Sequence, residues 1–336
     1  MYNNYNIEEI SLEYVNNRDR VKQFLTACGL AMEQLDCYLG IFDGDKLIGG
    51  GGVYKNTIKC VAILDEYQNE QLTNSLITQL RQIVFMQGYT NVFLFTKPKY
   101  NNLFAWLSFY PVGRSQDAVL LESKHNGIRE YVEQLRQYRC VSLSGAIVMN
   151  CNPMTNGHLY LIEQARKRVD RLHIFIVAEE QKPFTFMQRF TLVQENCRQM
   201  DNVVVHKGTQ YIISSATFPA YFIKDSSAVA LNQMQLDLNI FATHIAPALN
   251  ISLRFVGSEP LDNATNNYNQ MMKSYLPEYG INVEVIERIT TGGEVISASR
   301  VRKLFNEGAL DRIAPLVPSN TMRFLTELHS GVTNNG

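Results

Sequence analysis

Apolar positions fall into two successive series of strand and helix signals. In the first, residues 18–30 carry a helical pattern, while 38–42 and 46–53 alternate on either side of Asp43-Gly44-Asp45. An Asp-Gly between two such runs signals a hairpin. Residues 59–64 predict a strand, and 71–86 a helix with Leu72, Leu76, Leu80 and Val84 on one stripe; 91–95 predict another strand. A short helix near 102–107 and a strand over 118–121 complete the series. The polar stretch 124–138, with Ile128, Val132 and Leu135 at helical spacing, predicts a connecting helix.

The second series opens at 145–149, a continuous apolar run of the kind that forms a buried parallel strand. A loop follows, then a helix over 157–169 with Leu159, Ile162, Ala165 and Val169 on one face. Further strands are predicted at 172–178, 203–206, 253–256 and 283–286, and a helix at 186–198. Strand and helix in repeated alternation imply a parallel sheet with right-handed crossovers. The expected organisation is a first domain over 1–125, a connector over 126–140 and a second domain over 141–330; the 336 residues give each a core of its own.

Charge narrows the partners. The 31 Lys and Arg balance 32 Asp and Glu, which leaves no basic face for nucleic acid and no polybasic patch for a membrane. The six cysteines are scattered without a C-x-x-C pair or a nearby His cluster, so neither a disulfide framework nor a zinc site is indicated. A reduced, cytoplasmic setting is expected. Residues 1–13 are polar and acidic, and no run reaches the roughly 18 apolar residues of a membrane span, so a soluble, unprocessed chain is expected.

The strand at 145–149 leads into Asn150-Cys151-Asn152-Pro153-Met154-Thr155-Asn156-Gly157-His158. A loop and helix start at the carboxyl end of a parallel strand is where open α/β sheets bind ligands. The helix N-terminus offers unpaired N–H groups and partial positive charge to a phosphate. Gly157 permits close approach of the backbone, and His158 can donate from the first turn. The bland alternative is a strand-to-helix turn shaped by Pro153 and Gly157. A second helix start lies at Val295-Ile296-Ser297-Ala298-Ser299-Arg300-Val301-Arg302-Lys303, with Ser297 as N-cap and Val301, Leu304 and Phe305 as its buried stripe. Between the two, Lys182 and Arg189 are candidates to reach a phosphate or a carboxylate, or else are solvated surface charges.

Thr155-Asn156-Gly157-His158 resembles the T/H-x-G-H signature of the nucleotidyltransferase superfamily, and the 297–302 run resembles its second half, in the superfamily's order. Longer segments narrow the resemblance: Ile212 to Phe222, Leu236-Asp237-Leu238-Asn239-Ile240-Phe241, Ile245-Ala246-Pro247-Ala248-Leu249, and Val256-Gly257-Ser258-Glu259-Pro260 followed by Thr265 and Tyr268-Asn269. With these the chain resembles the citrate lyase ligase family. That resemblance implies a Rossmann-like nucleotidyltransferase domain preceded by a GNAT-like α+β domain. It implies an ATP-dependent enzyme, with Mg²⁺, that activates acetate as acetyl-AMP, releases pyrophosphate and acetylates the prosthetic-group thiol of the citrate lyase acyl-carrier (gamma) subunit. A cofactor-synthesising adenylyl- or cytidylyltransferase and a non-catalytic nucleotide- or carrier-binding module are the alternatives.

The same resemblance gives His158, Thr155 and Arg302 catalytic phosphate-handling roles, joined in nucleotide binding by Asn150, Asn152, Gly157, Gly257, Ser297 and Ser299. Ser215, Thr217, Asp237, Glu259 and Asp262 become candidates for acetate, metal or thiol-arm contacts, with a structural role the alternative for each. Cys151 reads as a small packing residue. In the GNAT-like domain, the loop that receives a pyrophosphate in acetyltransferases falls at Gln68-Asn69-Glu70-Gln71-Leu72-Thr73, where both small residues are lost and Glu70 repels phosphate. An inactive acetyltransferase fold, serving to dock the carrier subunit or else a remnant, is therefore expected. Gly49 to Gly52 read as a bulge or close-packing region.

Overall fold

The computed structural model describes residues 5–213, 218, 221–223, 226–258, 263–291 and 294–331. In chain order the first elements are β1 (Asn6–Glu9), α1 (Val15–Ala27), β2 (Cys37–Asp43), β3 (Lys46–Tyr54) and β4 (Thr57–Ile63). Next come α2 (Glu70–Met86), β5 (Phe93–Thr96), α3 (Asn101–Trp106), β6 (Tyr110–Arg114), β7 (Val119–Glu122) and α4 (Gly127–Arg136). The second half contains β8 (Ser144–Met149), α5 (Asn156–Arg166), β9 (Arg171–Ile176), α6 (Phe186–Cys197), β10 (Val203–Lys207) and α7 (Ser226–Ile240). A π-helical turn, Phe241–Ile245, leads to α8 (Ala246–Leu249), β11 (Ile251–Gly257), α9 (Asn263–Tyr275) and β12 (Asn282–Ile286). The ribbon β13 (Thr290–Thr291) and β14 (Glu294–Val295) precedes α10 (Ala298–Asn306), α11 (Leu310–Ile313) and α12 (Ser319–His329).

The chain forms two compact units, residues 1–131 with 215–240, and residues 132–214 with 241–336. The stretch expected as one continuous second domain is thus interrupted by α7. Polar anchors hold this helix in the first unit. Asn239 Oδ1 accepts from the Arg114 amide at 3.0 Å, and Asn232 Oδ1 accepts from the Ser115 hydroxyl and the Asp117 amide, each at 2.8 Å. Gly113 admits Ile240 against β6, since a Cβ there would lie 2.3 Å from Ile240 Cγ1.

The first unit is built on a seven-stranded sheet of order β1-β2-β3-β4-β5-β7-β6, antiparallel except for the β4–β5 step. That order, with one parallel step, is GNAT-like. The expected stripe of α2 is buried at Leu72, Leu76, Leu80 and Val84, and Asn69 caps the helix by accepting from the Leu72 amide at 2.8 Å. The glycine run in β3 is both bulged and close-packed: register with β4 slips between Gly50 and Gly52, and a Cβ on Gly50 would lie 2.6 Å from the Leu39 carbonyl.

The second unit carries a parallel sheet of order β10-β9-β8-β11-β12. Chain order runs outward in both directions from β8, which makes the carboxyl end of β8 the topological switch point. Apolar residues of β8, β9 and α5, including Ile147, Ile174, Ile176 and Ile162, form one core with Phe190 and Val193 of α6. Within this sheet His173 and His206 are both buried, and His173 Nδ1 lies 3.0 Å from His206 Nε2.

Candidate nucleotide site

The site is assembled where β8 ends. Thr155 is the N-cap of α5, its side chain accepting from the His158 amide, while His158 Nδ1 accepts from the Thr155 amide at 3.0 Å; the pair closes a capping box. α10 begins the same way, with Ser297 Oγ accepting from the Arg300 amide at 3.3 Å and the exposed Ser299 hydroxyl donating to Ser297 Oγ at 3.2 Å. Arg302 ties the two motifs together, since its Nη1 donates to the Asn152 carbonyl at 2.6 Å. Gly157 makes the approach possible, because a Cβ there would lie 3.3 Å from the Ile296 carbonyl just before α10. Two helix N-termini, a basic side chain and a histidine thus border the switch point, a combination suited to phosphate.

Burial, and then the positive charge of Arg288, holds His158 down at about 4, against an ordinary value of 6.5. The ring is therefore neutral at pH 7. Since Nδ1 accepts a backbone N–H, the neutral ring carries its proton on Nε2 and presents a hydrogen-bond donor there.

The loop after β9 closes the other side. Asn150 and Asn152 donate from Nδ2 to Gln181 Oε1 at 3.1 and 2.9 Å, and Asn152 Nδ2 also donates to the Lys182 carbonyl at 3.3 Å. The Lys182 side chain is exposed beside this loop. Arg189 is fully buried and holds backbone carbonyls, so it does not reach out to a ligand. Gly257 ends β11, and its carbonyl accepts from Asn269 Nδ2 at 3.1 Å. Asp237 lies on α7 in the first unit, where it is buried. Ser215, Thr217, Glu259 and Asp262 lie outside the described residues. Cys151 is buried in the motif loop, and burial pushes its thiol far above the ordinary value, as befits a packing residue.

Two side chains escaped the sequence reading. Gln181 bridges both motif asparagines, and Arg288 lies close enough to His158 to depress its basicity. The only available signal was position, since each follows a strand at the sheet's carboxyl edge. Among the described residues no group of His, Cys, Asp and Glu is placed to cage a metal ion. The donors present fit a triphosphate, and a Mg²⁺ brought in on its oxygens needs no dedicated protein cage.

A parallel sheet with paired helix starts at its switch point defines a nucleotidyltransferase-type α/β enzyme, here joined to a GNAT-like unit. Residues 144–325 match the family described as the citrate lyase ligase C-terminal domain. A [citrate [pro-3S]-lyase] ligase of Klebsiella pneumoniae is 41% identical over 319 residues, 93% of each chain. The ligase of the same description from Escherichia coli (strain K12) is 38% identical, covering 92% of this chain and 90% of that one. The chain belongs to the citrate lyase ligase family. Among solved structures, Thermotoga maritima TmcAL bound with alpha-thio ATP aligns over 56% of this chain and 57% of that one, at a TM-score of 0.36 and 15% identity. No described helix is long and apolar enough to cross a membrane.

Proposed function

We propose that this chain is an ATP-dependent ligase acting on citrate lyase: it activates acetate as acetyl-AMP and acetylates the thiol of the acyl-carrier subunit. The observation that carries this reading is the Arg302–Asn152 link between the α5 and α10 starts, in a chain of this family. A carboxylate oxygen of acetate attacks the α-phosphorus, the bond to the bridging oxygen breaks, and pyrophosphate leaves. The carrier thiol then loses its proton to water, and the thiolate attacks the acetyl carbon, forming the thioester as the bond to the phosphate oxygen breaks and AMP leaves. Little covalent work falls to the protein, so orientation and charge stabilisation dominate. Arg302 and the neutral His158 donate to phosphate oxygens, and Ser297 and Ser299 line the second helix start. Mg²⁺ on the phosphates would neutralise charge as pyrophosphate departs.

The test is pyrophosphate release from ATP and Mg²⁺ with and without acetate. Release that depends on acetate is expected. Release only with a phosphorylated co-substrate would instead support a cofactor-making nucleotidyltransferase.

For the first unit we infer a docking role for the carrier subunit. β4 and β5 pair only at Thr57–Phe93 and Ile58–Leu94. Beyond that pairing, the Tyr221 hydroxyl donates to the Phe95 carbonyl at 3.3 Å, and a cavity of about 640 Å³ is lined by Cys28, Val61, Asp65, Lys97, Lys99 and Leu103. This volume lies within the roughly 300–1,000 Å³ of ordinary ligand pockets. Burial, then the Asp65 carboxylate, raises the Cys28 thiol above its ordinary value, which makes slow alkylation a measurable probe. Saturating carrier subunit is expected to slow Cys28 alkylation at least about threefold, read by mass spectrometry of the modified peptide. An unchanged rate would remove the cavity from carrier docking.

A further inference from the structure

We propose that Asn150 and Asn152 form a two-donor clamp for an anionic oxygen of the reactants, with Arg189 as the positioning residue that fixes its polarity. Gln181 Oε1 holds the place of that oxygen in the free chain. The inference deepens the ligase reading above and rests on it for the identity of the anion.

Arg189 is the largest fully buried side chain among the described residues. Its Nη1 donates to the Asn150 carbonyl at 2.6 Å and to Asn150 Oδ1 at 2.8 Å; its Nη2 donates to the Val177 carbonyl at 3.1 Å and to the Glu179 carbonyl. These acceptors lie in the segments that follow the carboxyl ends of β8 and β9. Among the described residues no carboxylate pairs with it at salt-bridge distance. Glu180 and Glu179 offset its positive charge from beyond ion-pair distance, so the guanidinium is held by carbonyl and amide oxygens and remains a buried cation.

Polarity follows from donor chemistry. A guanidinium offers donors and no acceptor, so the Asn150 amide must turn its oxygen towards Arg189 and its Nδ2 away. That Nδ2 meets Gln181 Oε1 at 3.1 Å, and Asn152 Nδ2 meets the same oxygen at 2.9 Å. Two N–H donors thus converge on one neutral oxygen, with a buried cation behind one of them. An anionic oxygen accepts such bonds about twice as strongly as a neutral amide oxygen. Gln181 is half-buried, so its side chain can yield the position. A phosphate of ATP and the carboxylate of acetate both supply that oxygen.

Asn150→Asp separates clamp from scaffold. The carboxylate still accepts from Arg189, with added charge assistance, but the outward donor is gone and a negative charge stands at the clamp. The thermal midpoint is expected to hold or rise, while one anion constant worsens at least about tenfold, the usual scale for losing a charge-assisted hydrogen bond. Gln181→Glu, which puts an internal carboxylate into the clamp, is expected to worsen the same constant. Arg189→Lys keeps the charge but loses the planar fork; it should raise that constant by a larger factor than it lowers kcat.

Calorimetric Kd for ATP without acetate, and KM for acetate in ATP–pyrophosphate exchange, distinguish a phosphate occupant from a carboxylate one. The proposal is overturned if Asn150→Asp and Gln181→Glu leave both constants within about twofold of the parent chain. It is equally overturned if Asn150→Asp only lowers the thermal midpoint. If the parent chain shows no acetate-dependent exchange, the ligase reading fails, and the ATP titration alone decides the clamp.

Discussion

Replacing His158 by alanine is expected to lower acetate-dependent pyrophosphate release by about 10²–10³ in kcat, the usual cost of removing one preorganised donor to developing charge. The Thr155 amide fills Nδ1 and leaves Nε2–H as the donor. With its value held down to about 4, the imidazole stays neutral and does not titrate during turnover above about pH 5. The pH–rate profile of the parent chain should accordingly show no inflection from His158 between pH 6 and 7. Loss of the reciprocal capping bond adds about 0.5–2 kcal/mol of destabilisation, so the thermal midpoint should be recorded with the rate. A rate unchanged by His158→Ala would remove the residue from the mechanism.

Acid should destabilise the second unit through two buried histidines. Burial, reinforced by His206 and then Arg171, holds His173 down at about 3; burial alone holds His206 at about 4. Both values lie below the 6.5 of an unfolded histidine, so between about pH 4 and 6.5 the unfolded chain binds more protons than the folded one. The stabilisation is complete above about pH 6.5 and is lost as pH falls towards 4. For the pair this amounts to roughly 5 kcal/mol between pH 7 and 4.5, a large share of an ordinary folding free energy. The rings are stacked with centroids 5.2 Å apart, and Phe175 stacks on His206 at 4.8 Å, so aromatic faces rather than polar partners cover the imidazoles. Denaturant melts from pH 7 to 4.5 should show this loss, and the double variant His173→Leu/His206→Phe should flatten the curve. An equal slope in both chains would reject the assignment.

The fold was legible wherever one apolar stripe faced one core. The α2 stripe and the β8–loop–α5 succession could be read directly, because buried and exposed positions there follow a single period. β1 escaped because Asn-Ile-Glu-Glu is a polar edge, and β6 because Pro111 and Gly113 argue against a strand. α7 escaped for another reason: Asn232, Asp237 and Asn239 are buried on it, so no polar face marks its outside. In the site, the motif residues at both helix starts could be read and stand together across the Arg302–Asn152 bond. The burial of Arg189 could not, since a sequence does not reveal that a charged side chain is fully buried.

The return of α7 to the first unit has a consequence for inheritance. Because α7 belongs to the unit whose sheet already ends at Glu122, no single break in the gene yields two intact halves. A fragment ending near 125 would bare Gly113 and leave the 114–117 turn without Asn232 and Asn239. The two units are therefore not contiguous cassettes, and a recombination within the chain that preserves both must keep α7 with its N-terminal host.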